Sequence, residues 1–211
     1  MAGSAIAALL ARPKITVDEL IEKIGEESLA SVNLNLKARK RLLGLMKSAS
    51  ESPRSIQSVT TILKSLSSNN TLLGALIRDG TTLASVCDRI LSLVASKQGQ
   101  EKEKIEYLRI LYELVSTTPN LKTQLCMSIH EYLLGLFEQY SETKALLSVA
   151  AELLVVTITH DQDNRRYFAR HTSIDRLKAV FEFLKQTGDP LGQVFAAEFL
   201  WRVVTLMNLN P

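Results

Sequence analysis

Four consecutive residues, His160-Asp161-Gln162-Asp163, put an imidazole beside two carboxylates, donor types that can hold a divalent cation. A metal site needs further ligands converging from elsewhere, and this run falls in a loop between two helical segments. There an Asp accepts from the first backbone N–H groups of a helix, so capping is the reading and no metal is expected. His130 and His171 stand far from each other in the chain and read as surface or packing residues. Cys87 and Cys126 each sit inside an apolar helical run and read as small core residues, in a reducing compartment and without a disulfide framework. No Gly-rich phosphate loop, G-x-S-x-G or H-E-x-x-H occurs, so no catalytic residue and no cofactor is assigned, and the chain is read as a non-enzyme.

Two basic clusters could meet phosphates. Lys37, Arg39, Lys40 and Arg41 share one helical segment, and Arg165, Arg166 and Arg170 lie with His171 around another. Asp161, Asp163 and Asp175 flank the second cluster, and no aromatics for base stacking are interleaved with the first. A net charge of +3 is too small to imply nucleic acid by itself. Solvated faces are the main reading, an acidic protein partner is the next, and a nucleic-acid or anionic-lipid surface through these clusters is kept as the alternative function.

The sharper pattern is a ladder of trios. Arg109, Tyr112 and Ser116 are followed 43 residues later by Glu152, Val155 and Thr159, and 46 later again by Glu198, Trp201 and Thr205, with Arg202 beside the Trp. Spacings of three and four put each trio on one helical face. Aromatic side chains among charges of both signs are the material of protein-interface anchors, so these ten residues are assigned to binding a partner. The competing reading is that Tyr112 and Trp201 pack between helices.

The elements that would carry the ladder are helices. With 46% hydrophobic residues, 22% charged, and only 9 Gly and 5 Pro among 211 residues, the composition favours helix over strand and suffices for a continuous core. Thr16-Val17-Asp18-Glu19 has the form of a capping box, and Val17, Leu20, Ile21 and Ile24 follow at helical spacing. A second helix holds Leu34 to Met46, and Ser52-Pro53 opens a third. The cycle then repeats. A short helix over Leu72–Ile77 precedes one from Thr82, a polar loop over Gln98–Lys104, and a helix through Val115. Next come a short helix from Pro119 to Leu125, a middle one over Ile129–Phe137, and a long apolar one from Ser141 to Thr159. The last round has a short helix with Tyr167 and Phe168, a middle one over Ile174–Leu184, a break at Gly188-Asp189-Pro190, and a third helix over Leu191–Leu206. Ala150, Ala151, Glu152, Leu154 and Thr159 recur 46 positions on as Ala196, Ala197, Glu198, Leu200 and Thr205, which marks stacked helical repeats. Rounds fall at about 16–67, 70–117, 119–160 and 162–207, with 1–15 as an N-terminal extension to a repeat domain over 16–211.

A short helix followed by two longer ones resembles the armadillo repeat, with HEAT repeats as near neighbours. Asn164-Arg165-Arg166-Tyr167-Phe168 through Ile174-Asp175-Arg176-Leu177 carries the best local likeness. The resemblance implies an all-α, right-handed superhelical array of about four three-helix repeats. It also implies a protein–protein scaffold or adaptor that binds a helical or extended segment on the third-helix face. Many peptide-binding armadillo proteins carry Trp on the third helix and Asn four residues later. Here Trp201 is followed by Thr205, and the earlier pairs are Val155 with Thr159 and Tyr112 with Ser116. Without the amide ladder, import-signal recognition is not implied, and the short hydroxyls are expected to bond within their own helices.

The apolar Ala5–Ala11 precedes its basic residues, the reverse of a signal sequence, and no apolar run is long enough to span a membrane. The expected setting is intracellular, cytoplasmic or nuclear, where the sequon Asn69-Asn70-Thr71 has no role. Asn208-Leu209-Asn210-Pro211 reads as the start of a further round, so either truncation or homo-oligomerisation over the C-terminal end around Trp201 is expected.

Overall fold

The computed structural model describes residues 4–52, 55–96, 100–139, 144–159 and 161–186, together with Ala197 and Trp201. Among these residues there are eleven α-helices, one 3-10 turn and no strand, so the chain is all-α. They form two compact units, Met1–Ile90 and Leu91–Pro211.

The first unit contains α1 (Ala5–Leu10), α2 (Val17–Glu26), the 3-10 turn Leu29–Ser31, α3 (Leu36–Ser50), α4 (Ile56–Ser67), α5 (Asn70–Arg78) and the start of α6 (Thr82–Ala95). The segment before Thr16 is no loose tail. Ile6, Leu9 and Leu10 of α1 are buried where it packs on α2 and α3, and Glu27 accepts from the Ile6 N–H at 3.0 Å. The capping box at Thr16 is complete: Thr16 Oγ1 accepts from the Glu19 N–H, and Glu19 accepts from the Thr16 N–H. α4 is the central element, packed against α2, α3, α5 and the 3-10 turn, with Val59, Ile62, Leu63 and Leu66 wholly buried. It begins at Ile56, and Pro53, expected to open it, lies outside the described residues.

The second unit contains the end of α6, then α7 (Glu101–Thr117), α8 (Pro119–Gln139), α9 (Lys144–Ile158), α10 (Gln162–His171) and α11 (Ile174–Gln186). Two expectations are corrected here. α7 begins at Glu101, inside the stretch expected to be a polar loop. Gln100 precedes it, and Glu101 and Glu103 fall in its first turn, where carboxylates meet the positive end of the helix dipole. The separate helices expected over 119–125 and 129–137 are one helix of 21 residues. Nothing between them breaks it, because Cys126-Met127-Ser128 holds neither Gly nor Pro. α9 lies against α7 and α8, while α10 and α11 pack on α8. The segment from Ser141 that was to open α9, and the third helix expected over Leu191–Leu206, lie outside the described residues apart from helical Ala197 and Trp201.

Packing dominates the energetics. A fully buried Leu, Ile or Val contributes roughly 1.5–3 kcal/mol, whereas an exposed ion pair contributes about 0–1 kcal/mol. The cores of both units are almost wholly aliphatic. Polar contacts instead fix where segments meet, and most distant ones share one scale. Leu29–Ser65, Asn69–Val32, Lys122–Thr159, Thr123–Asp161, Arg176–Glu138, Arg39–Asp79, Asn69–Leu29, His130–Thr172 and Asn164–Lys122 are 36 to 42 residues apart in sequence.

Two buried Asn residues recur at this spacing. Asn69, at the N-cap of α5, accepts from the Leu72 N–H, and its amide donates to the carbonyls of Leu29 (2.7 Å) and Val32 (3.1 Å). Asn164, in the first turn of α10, donates to the carbonyl of Thr157 at 2.9 Å and to that of Lys122 at 3.5 Å. Each ties the start of a short helix to backbone laid down earlier, satisfying buried carbonyls that water cannot reach.

Candidate protein-interaction face

Helices α7 and α9 carry the first two trios of the ladder, and Trp201 is the described member of the third. Ten of the fifteen residues of α9 are buried, from Leu146 to Ile158. Such burial is expected of a helix flanked by neighbours, and it leaves one open strip. That strip holds Ser148, Glu152 and Val156, with Thr159 just past the helix end, all partly exposed. Val155, assigned to the ladder by its offset, is buried with 4% exposure and belongs to the core. Starting from Glu152, a spacing of four reaches Val156, and that signal was present in the sequence.

α7 packs directly against α9. It buries Leu108, Leu111, Leu114 and Val115 and exposes Arg109, Glu113 and Ser116, with Tyr112 half-buried beside them. Glu113 joins this face unforeseen, one position beyond Tyr112. The hydroxyls behave as their chemistry predicts. Ser116 Oγ donates to the Glu113 carbonyl at 2.9 Å, and Thr159 Oγ1 donates to the Val155 carbonyl at 2.7 Å. Their protons are spent inside their own helices, so a partner would find acceptors there and not an amide clamp. Trp201 is helical and 70% exposed. Glu198, Arg202 and Thr205 lie outside the described residues.

The basic residues divide by how the fold uses them. Arg39 is held on both sides: its Nε and Nη2 donate to Asp79 at 2.5 and 3.2 Å, and its Nη1 donates to the Leu34 carbonyl at 2.9 Å. Arg41 donates to the Pro13 carbonyl at 2.6 Å. Lys37 and Lys40 are exposed. In the second cluster Arg166 contacts Asp163 at 3.5 Å, Arg170 is exposed, and Arg165 is partly buried. The first cluster thus spends Arg39 and Arg41 on the fold and leaves the two exposed lysines, a thin surface for phosphate recognition.

Where α8, α9 and α10 meet, the structure gathers polar groups that the sequence scatters. Asp161 caps α10 by accepting from the Asn164 N–H at 2.8 Å and also accepts from Thr123 at 3.2 Å, so this Asp serves capping. His160 lies outside the described residues. Lys122 is buried and donates to the Thr159 carbonyl at 3.0 Å, and burial lowers its pKa. Burial pushes both thiols, Cys87 and Cys126, up to about 12, which makes them inert core groups.

His130 and His171 are not dispersed. The His130 ring lies edge-on to Phe168 and Tyr167, at 5.0 and 5.5 Å between centroids, and His171 stacks on Tyr167 at 4.2 Å. His130 is buried, a packing residue whose pKa desolvation pushes down to about 4. Among the described residues no group of three or more His, Cys, Asp or Glu side chains is placed to hold a metal ion. No helix among them is long and apolar enough to cross a membrane.

No protein-family model matches this chain, and neither the curated proteins nor the solved structures show a match to it.

Proposed function

We propose that the chain is an armadillo-like interaction scaffold that binds a helical or extended segment of another protein along the open strip of α7 and α9. One observation carries the reading. Two helices packed on each other bury nearly all their apolar residues, yet keep Arg109, Tyr112 and Ser116 on one, and Glu152, Val156 and Thr159 on the other, at the surface. Charges of both signs, an aromatic ring and a half-exposed Val suit an amphipathic segment, and a rigid helical platform lowers the ordering cost of binding. Polar contacts 36 to 42 residues apart support the repeat reading, because in stacked repeats each unit meets its sequence neighbours. Trp201 would extend the same ladder or cover a contact with a second copy of the chain. No catalytic role or cofactor is proposed, and the setting that goes with this reading is intracellular, cytoplasmic or nuclear.

The test is an affinity capture with the wild-type chain and an Arg109→Glu, Tyr112→Ala double variant. Both residues stand at the surface or half-exposed, so the variant should keep its helical signal and melting temperature. The proposal predicts a protein recovered with wild type and lost with the folded variant. Equal recovery by both would refute the assignment of this face.

A further inference from the structure

The first unit holds a cavity of about 410 Å³ that opens to solvent. One wall is α5, whose Thr71, Ala75 and Arg78 recur at helical spacing. The opposite wall is the segment Ala30–Leu34, running from the 3-10 turn into extended backbone. From Thr71 to Arg78 the helix advances about 10 Å, enough for a small molecule lying along it.

The charged side chains that line the cavity are cationic, and one carboxylate lies just outside it. Its lining includes Arg39 and Arg78 and no carboxylate. Asp79, just past α5, is held below its ordinary value first by the hydrogen bonds from Arg39, with Lys40 and Arg78 acting on the same group. Three cations thus surround one carboxylate, and Arg39 spends its charge on it. Arg78 is exposed at the cavity edge. The Thr71 and Ser31 hydroxyls supply neutral donors along the lining, while buried Val32, Leu34 and Leu72 supply apolar surface. A few converging polar groups in a mainly preformed hollow of a few hundred cubic ångströms is the general form of a small-ligand site.

We infer that this cavity binds a small anionic ligand bearing a phosphate or carboxylate group, with Arg78 as its charged contact and the Thr71 and Ser31 hydroxyls as neutral donors, while Arg39, engaged by Asp79 and the Leu34 carbonyl, holds the wall in place. A guanidinium suits either group because its parallel N–H bonds match two oxygens. The inference is independent of the α7–α9 face.

The experiment is an amide-resonance NMR titration of the full 211-residue chain, near physiological salt, with inorganic phosphate and separately with acetate. Saturable shifts at Thr71, Leu72, Ala75 and Arg78 are expected with at least one probe, and the probe that binds more tightly identifies the headgroup chemistry. Arg78→Gln removes a charge-assisted bond from an exposed position and should weaken that binding by at least about tenfold without unfolding the chain. Shifts that never saturate with either probe would overturn the inference. So would saturable binding that Arg78→Gln leaves unchanged.

Discussion

His130 on α8 and Thr172 after α10 meet through a hydrogen bond of 2.6 Å between the imidazole Nε2 and the hydroxyl, although 42 residues separate them. The ring is buried among Tyr167, Phe168 and His171, where it is held neutral. Desolvation is the main reason its pKa falls from 6.5 to about 4, and the nearby charges of Arg176 and His171 add to it.

A pH dependence follows. The unfolded chain takes up this proton more readily than the folded one, so the stability is full above about pH 6.5 and is lost as pH falls towards 4. Between pH 7 and pH 5 the loss should be about 1–2 kcal/mol. The groups with depressed acidic pKa values, Asp79 and Glu19, give up their contribution only at lower pH. Urea unfolding at the two pH values should show the drop in wild type and a flatter response in His130→Asn. The same slope in both would assign the effect elsewhere.

The two clamping Asn residues should differ in weight. Asn69→Ala removes an N-cap and two donors to buried carbonyls, an expected cost of about 2–3 kcal/mol. Asn164→Ala leaves the Asp161 cap intact and loses mainly one good hydrogen bond, so about 1–2 kcal/mol is expected. Asn69→Asp keeps the cap acceptor but turns a carboxylate on the carbonyls of Leu29 and Val32, and should also destabilise. Chemical denaturation midpoints order the variants, and a larger loss at Asn164 than at Asn69 would contradict this arrangement. The same burial makes the Asn69-Asn70-Thr71 sequon incompatible with a glycan in the folded state, since the acceptor nitrogen is already bonded inside the unit.

Two glycines should respond in opposite directions. Gly44 lies within α3 with open space where a Cβ would stand, so Gly44→Ala should stabilise by about 0.5–1 kcal/mol. Gly80 joins α5 to α6 at φ +141°, a conformation that L side chains rarely adopt, so Gly80→Ala should cost about 1–3 kcal/mol although its Cβ would meet nothing. Thermal unfolding decides both, and a neutral Gly80→Ala would show that the joint relaxes without strain.

Local signals were legible in the sequence. Thr16 and Glu19 declare their capping box within four residues, and the apolar periodicity of α4 and α9 locates their helices from neighbouring residues alone. Repeat offsets are a poorer guide than local chemistry: Cys126-Met127-Ser128 offers no breaker inside α8, and the helical period from Glu152 reaches Val156 where the repeat offset reaches Val155. Gln98–Lys104 reads as a loop because it is polar, yet Glu and Lys are good helix formers and the acidic first turn favours a helix start at Glu101. The contacts of Arg39 with Asp79, and of His130 with Thr172, join residues about forty apart, and no local pattern announces which residues will meet.

The most direct test of the interaction face is site-specific photo-crosslinking in lysate. A photoreactive residue would replace Tyr112, Glu152 or, as the comparison position, Met127, which is exposed on α8 and is not part of the assigned strip. The account predicts one crosslinked protein shared by positions 112 and 152, absent from position 127, and lost from position 152 when Arg109→Glu is added. Equal crosslinking from position 127, or none from 112 and 152, would contradict it.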